Sequence, residues 1–110
     1  MKSVVTFSFK DAGRAEKLRA DGCHVIDCRE LANPWGVPAL RHLSGRDDRV
    51  VAYILAHSER GVVEELLGEA SKHDLVAFGC YGGVHRSVVM ARLFNERKGG
   101  ASGGVEESQE

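Results

Sequence analysis

The chain is short of the residues that hold unusual proteins together. Two prolines in 110 residues exclude a proline-rich linker protein. The cysteines, Cys23, Cys28 and Cys80, are odd in number and form no C-x-x-C pair. Reduced thiols in a cytoplasmic protein are therefore expected, not a disulfide scaffold or a zinc ribbon. No secretory leader is read at the start. Aromatic residues make up 6% of the chain, and no apolar run approaches the length that spans a bilayer. Charge of one sign is also lacking: 15 Lys and Arg stand against 16 Asp and Glu, a net charge of −1. That balance makes no electrostatic case for nucleic-acid binding by itself. No internal repeat is visible. What remains is an ordinary soluble composition, 43% hydrophobic and 28% charged, sufficient for one domain with a modest core.

Ser3 to Phe9 is rich in β-branched and aromatic residues and reads as a strand. Asp11 is placed to cap a helix that runs to about Ala20 and stops at Gly22, with Ala15 and Leu18 on its apolar side. Cys23 to Asp27 reads as a second strand, so the first three elements suggest a βαβ unit with parallel strands. Residues 28 to 46 hold Asn33-Pro34, Trp35-Gly36, Pro38 and Ser44-Gly45 and read as a long loop, the kind that often carries function. Asp47 or Asp48 caps a helix through Val50, Val51, Ile54 and Leu55. Ser58 is placed to cap another, whose stripe of Val62, Val63, Leu66 and Leu67 belongs in the core. A last strand, loop and helix follow, from the apolar run Leu75 to Phe78 through the glycine-rich Gly79–Gly83 to a helical pattern after Ser87. The expected fold is a small three-layer α/β domain, residues 1 to 98, with a mostly parallel sheet of at least three strands. Residues 99 to 110 read as a flexible acidic tail.

In an open parallel sheet, ligands sit at the carboxyl ends of the strands. The loops expected there carry Lys10, then Cys28 and Arg29, then Cys80 to Ser87. The last, Cys80-Tyr-Gly-Gly-Val-His-Arg86-Ser87, has chemistry of its own. A glycine-rich loop running into a helix points backbone N–H groups at one spot, which suits an anion. Cys-x5-Arg-Ser is the spacing of cysteine-dependent phosphatases, in which the Arg grips two phosphate oxygens and the thiolate attacks phosphorus. That chemistry also needs an acid for the leaving group; Asp27, Asp47 and Asp48 are the candidates. Residue 79 is Gly where such enzymes usually have His.

A wider resemblance runs from about residue 3 to residue 97. Val-Thr-Phe-Ser-Phe near the start, Asp27-Cys-Arg29, Asn33-Pro34, Pro38-Ala-Leu-Arg41, Leu43-Ser-Gly45 and Gly79-Cys-Tyr-Gly-Gly-Val-His-Arg-Ser-Val88 occur in this order. That succession resembles the C-terminal domain of the RNase adapter protein RapZ family. The resemblance implies a stand-alone binding domain, without a cofactor, that acts as a sensor or adapter. Its partners would be an amino-sugar phosphate such as glucosamine 6-phosphate, RNA and an endoribonuclease, with no membrane. By the matching motifs, Cys80, Gly82, Gly83, His85 and Arg86 would form the phosphosugar loop, with Tyr81 and Ser87 beside them. Asp27, Arg29, Asn33 and Arg41 would lie in the facing loop, with Trp35 beside them. The departures are Trp35-Gly36 where the family usually has His-Trp, Tyr81 where it usually has Thr, and an acidic end where it usually has a basic one. No G-x-x-x-x-G-K-[ST] occurs, so the family's ATP-binding domain does not carry over.

Blander readings stand beside these. The glycines could simply make a tight turn, and Cys80 could be a small buried hydrophobe. Cys23 and Cys28 read as core or loop residues. His24, His42, His57 and His73 show no metal-ligand spacing, so no metal is expected. Trp35 reads as a loop aromatic closing over the core or, alternatively, as a stacking surface. A protein-interaction module with a vestigial loop is the third functional reading, after the binding domain and the cysteine phosphatase.

Overall fold

The computed structural model describes residues 3–97 and 105–107. Its element order is β1 (Ser3–Ser8), α1 (Arg14–Ala20), β2 (His24–Asp27), a 3-10 turn (Pro34–Gly36), α2 (Asp48–His57), α3 (Val62–Ala70), β3 (Leu75–Cys80), α4 (Arg86–Arg97) and β4 (Val105–Glu107). The four strands form one sheet in the order β2-β3-β1-β4, and every pairing is parallel. The strands of the first βαβ unit are thus not neighbours, because β3 lies between them. Part of the acidic stretch read as a tail, residues 105–107, pairs with β1; the rest of that stretch lies outside the described residues.

Strand alternation divides the core into two layers. Val4, Ile26, Val76, Phe78 and Cys80 face α2, α3 and α4, where they meet Val50, Ile54, Val63, Leu67, Val89 and Leu93. Phe7 and Ala77 face the other way, against Ala15 and Leu18 of α1. The connections explain this split. The chain crosses the sheet one way from β1 to β2, then returns to β3 and goes on to β4. Right-handed crossovers of opposite direction place their helices on opposite faces, which gives the three layers.

Two expected helix caps differ. The Asp11 carbonyl accepts the Arg14 N–H at 3.1 Å and closes a turn, so α1 starts after Gly13 with no side-chain cap. Ser58 ends α2 instead of starting α3: its N–H donates to the Ile54 carbonyl, and its hydroxyl accepts the Ala32 N–H at 2.9 Å. Helix α3 begins after Gly61. Asp47, not Asp48, caps α2, accepting the Arg49 N–H at 2.9 Å. Among the described residues no helix is long and apolar enough to cross a membrane.

Candidate functional site

Helix α1, which follows β1, and helix α4, which follows the neighbouring β3, lie on opposite faces of the sheet. The loops leaving these two strands therefore diverge and open a crevice between them, the position at which parallel sheets bind ligands. A pocket of about 390 Å³ lies there, lined by Lys10, Asn33, Trp35, Tyr81, Gly82, Val84 and His85. Lys10 comes from the β1 loop, Asn33 and Trp35 from the 3-10 turn, and the rest from the loop after β3.

The glycine loop is shaped by its backbone. Gly82 and Gly83 adopt φ of 92° and 73°, which side-chain-bearing residues rarely tolerate. A side chain on Gly83 would also approach the backbone of Phe7 and Ser8 to 3.1 Å. Ser8 Oγ accepts the N–H groups of both Gly82, at 3.1 Å, and Lys10, at 3.0 Å, and so joins the two lips of the crevice. Lys10 Nζ stands 5.1 Å over the Tyr81 ring.

Cys80 lies beneath the loop, fully buried. Its Sγ donates to Ser87 Oγ at 3.3 Å and accepts the Ser87 N–H at 3.3 Å. Alternation along β3 turns this thiol into the α4-side core, beside buried Cys28, whose own thiol is pushed well up, first by burial and then by Cys80. Arg86 is also buried. Its Nη1 donates to the carbonyls of Arg29, at 2.6 Å, and Leu31, at 3.3 Å. One part of the guanidinium thus clamps the β2 loop to the start of α4, while the buried Nε has no hydrogen-bond partner. His85, equally buried, has an Nε2 without a partner. Burial lowers its pKa most; backbone groups of Leu43, Arg41 and Leu40 pull it back in part, and Arg86 lowers it further.

The site residues expected from sequence fall into three groups. Asn33, Trp35, Tyr81, Gly82 and His85 line the pocket, and Cys80, Gly83, Arg86 and Ser87 support it from below. Asp27, Arg29 and Arg41 do not line it. Asp27 and Arg29 form a bidentate pair, with contacts of 3.0 and 2.7 Å, and Arg29 stacks 3.9 Å over Phe9. Arg41 instead holds the 3-10 turn, donating to the Trp35 carbonyl at 2.8 Å. Asn33 Oδ1 accepts the Trp35 N–H at 3.1 Å. These bonds turn Trp35 outward, 54% exposed, so it does not close over the core. Lys10 lines the pocket although no motif includes it; its place at the end of a strand was the available signal.

The acid candidates are all engaged with arginines. Hydrogen bonds from Arg29 hold the Asp27 carboxyl below its usual range, and those from Arg49 hold Asp47 at about 2. Asp48 pairs with Arg92 at 2.7 Å on the surface. None of the three lines the pocket.

A sequence profile of the RapZ C-terminal domain matches residues 2–106. Relatives named nucleotide-binding protein match too. That of Acidothermus cellulolyticus is 40% identical over 107 residues, covering 86% of this chain and 33% of its own. The Thermobifida fusca protein is 38% identical over 109 residues, covering 86% and 35%. That of Geotalea daltonii is 40% identical over 89 residues, covering 67% and 31%. The chain spans about a third of the length of these relatives. With the profile matched over nearly its whole length, the chain belongs to the RapZ C-terminal domain family.

Proposed function

We propose that this domain binds a phosphorylated metabolite of the amino-sugar phosphate type in the crevice between the β1 and β3 loops, and acts as a sensor or adapter without chemistry at Cys80. The observation that carries this reading is the pair of adjacent orphans. Arg86 Nε and His85 Nε2 are buried side-chain nitrogens without a hydrogen-bond partner, at the loop-to-helix junction beside the pocket. Buried polar atoms are nearly always satisfied, so each such exception calls for a missing partner. An ester phosphate supplies acceptors for both the guanidinium and the loop N–H groups. Lys10 adds charge, and the exposed faces of Trp35 and Tyr81 suit a sugar ring. The relatives' name, nucleotide-binding protein, makes a nucleotide the competing phosphate ester, and the same aromatic faces make RNA a second one.

Binding is favoured over catalysis by the surroundings of Cys80. The thiol is fully buried, and the carboxyls of Asp27 and Asp47 are held ionised by arginines, a poor state for protonating a leaving group. Calorimetric titration with glucosamine 6-phosphate, a hexose phosphate, inorganic phosphate, a nucleotide and a short RNA tests the reading. The amino-sugar phosphate should bind best, equally well in Cys80→Ser, and at least tenfold more weakly in Lys10→Ala and Arg86→Ala. If no phosphate ester binds, or if Lys10→Ala and Arg86→Ala bind like the wild type, the pocket is misassigned. Hydrolysis of an aryl phosphate that disappears in Cys80→Ser would instead establish the phosphatase.

A further inference from the structure

The opposite end of the sheet holds a second cluster. His24 opens β2 and shares with Ile26 the strand face that α3 covers. Glu69 lies in the last turn of α3. His73 follows in the turn that leads into β3, positioned by its N–H bond to the Ala70 carbonyl at 3.2 Å. Both imidazoles address one oxygen: His24 Nε2 is 2.8 Å and His73 Nε2 3.5 Å from Glu69 Oε2. The two rings stack with centroids 3.7 Å apart and planes 11° from parallel. One ligand atom from each residue lies within 4.8 Å of the other two. We infer that His24, Glu69 and His73 form a binding site for a divalent cation of the zinc class, with two imidazole nitrogens and a carboxylate oxygen as ligands and a fourth position open to water.

The donor set selects the ion. Imidazole with carboxylate suits zinc and its neighbours, whereas magnesium and calcium prefer all-oxygen sites. Tetrahedral zinc at about 2.0–2.2 Å from each ligand needs donors roughly 3.3–3.6 Å apart. The three side chains are 35%, 42% and 37% exposed, so they can adjust to that spacing. Each imidazole lone pair lies in its ring plane, so the stacked rings swing apart as they turn toward the ion. Lys72, with Nζ 3.6 Å from Glu69 Oε1, is the cation that a metal must displace. An ion held here would tie the start of β2 to the α3–β3 turn, far along the sheet from the phosphate loop.

Equilibrium dialysis of the full chain against zinc at pH 7.5 tests the site. Cys23 adjoins His24 and is only partly buried, so the measurement is repeated in Cys23→Ser to exclude thiol capture. One zinc per chain is expected in both. His24→Gln and His73→Gln should each weaken binding at least tenfold, since even supporting residues around a metal are worth 10–100-fold. Glu69→Gln keeps the shape, loses the charge and should weaken binding too. Melting in EDTA shows that each variant is folded before zinc is added. Zinc uptake that is absent from the wild type, unchanged in folded Glu69→Gln and the histidine variants, or lost in Cys23→Ser overturns the assignment.

Discussion

His85 and Arg86 are neighbours and both buried, yet burial acts on them differently. The Arg86 guanidinium donates to the Arg29 and Leu31 carbonyls; burial pushes His85 toward its neutral form. The consequence for pH follows from linkage. His85 has a folded pKa below its ordinary 6.5, so below pH 6.5 the unfolded chain gains a proton there that the folded chain resists. Stability is therefore full above pH 6.5 and falls as pH drops through 6.5 toward the folded value. Urea unfolding at pH 7.5 and 5.5 should show a loss from this group of at most about 1.4 kcal/mol per pH unit. His85→Asn should remove that part of the slope; identical slopes would mean that folding leaves the His85 pKa unshifted. Arg86 should matter at any pH. Truncation to Ala strips the donor from the Arg29 and Leu31 carbonyls and costs about 1–3 kcal/mol, measurable as a lower denaturant midpoint. Arg86→Lys should recover only part of this, because an ammonium lacks the planar fork.

Elements meet at the start of α4, and Gly45 is what allows the β2-to-α2 loop to reach it. Its N–H donates to the Val84 carbonyl at 2.8 Å. A Cβ there would lie 2.7 Å from both the His85 carbonyl oxygen and the Val89 nitrogen, and 2.8 Å from Val88 Cβ. Gly45→Ala must push this loop off the helix and should cost about 1–3 kcal/mol, as overpacking does. Gly36→Ala meets nothing within 4 Å and should stay within about 0.5 kcal/mol of the wild type. Equal midpoints for the two variants would sink the close-approach argument. The sequence announces Gly45 as a loop glycine and as part of a family motif, not as a contact to α4, and the reason generalises. Periodic features were legible: the Leu75–Phe78 run, the Val62–Leu67 stripe and the glycine loop each follow from local pattern. Partners distant in sequence were not. Trp35 read as closing over the core or as a stacking surface, and Arg41 and Asn33 hold its turn outward. Asp27 and Arg29, only two residues apart, pair with each other and do not line the pocket. His24 and His73 meet only because α3 packs on β2.

At the scale of the whole molecule, the sheet separates two ends with different chemistry. The carboxyl ends of the strands carry the glycine loop and Lys10; the amino ends carry His24, with Glu69 and His73 packed beside it. A six-residue strand such as β3 places these ends about 20 Å apart. Sites that far apart with no shared residue should act independently. A ligand held at a hundred times its Kd stabilises the folded state by about 2.7 kcal/mol. For a domain of this size that raises Tm by roughly 10 °C or more. Phosphate ester and zinc, each saturating, should therefore give thermal shifts whose free energies add to within about 0.5 kcal/mol. The shift from the ester should survive Glu69→Gln, and the shift from zinc should survive Lys10→Ala. A joint shift no larger than either alone would mean that both ligands occupy one site. A joint shift well above the sum would mean that the domain transmits binding from one end to the other, through β3, paired to both β1 and β2, or through α3 packed on α4.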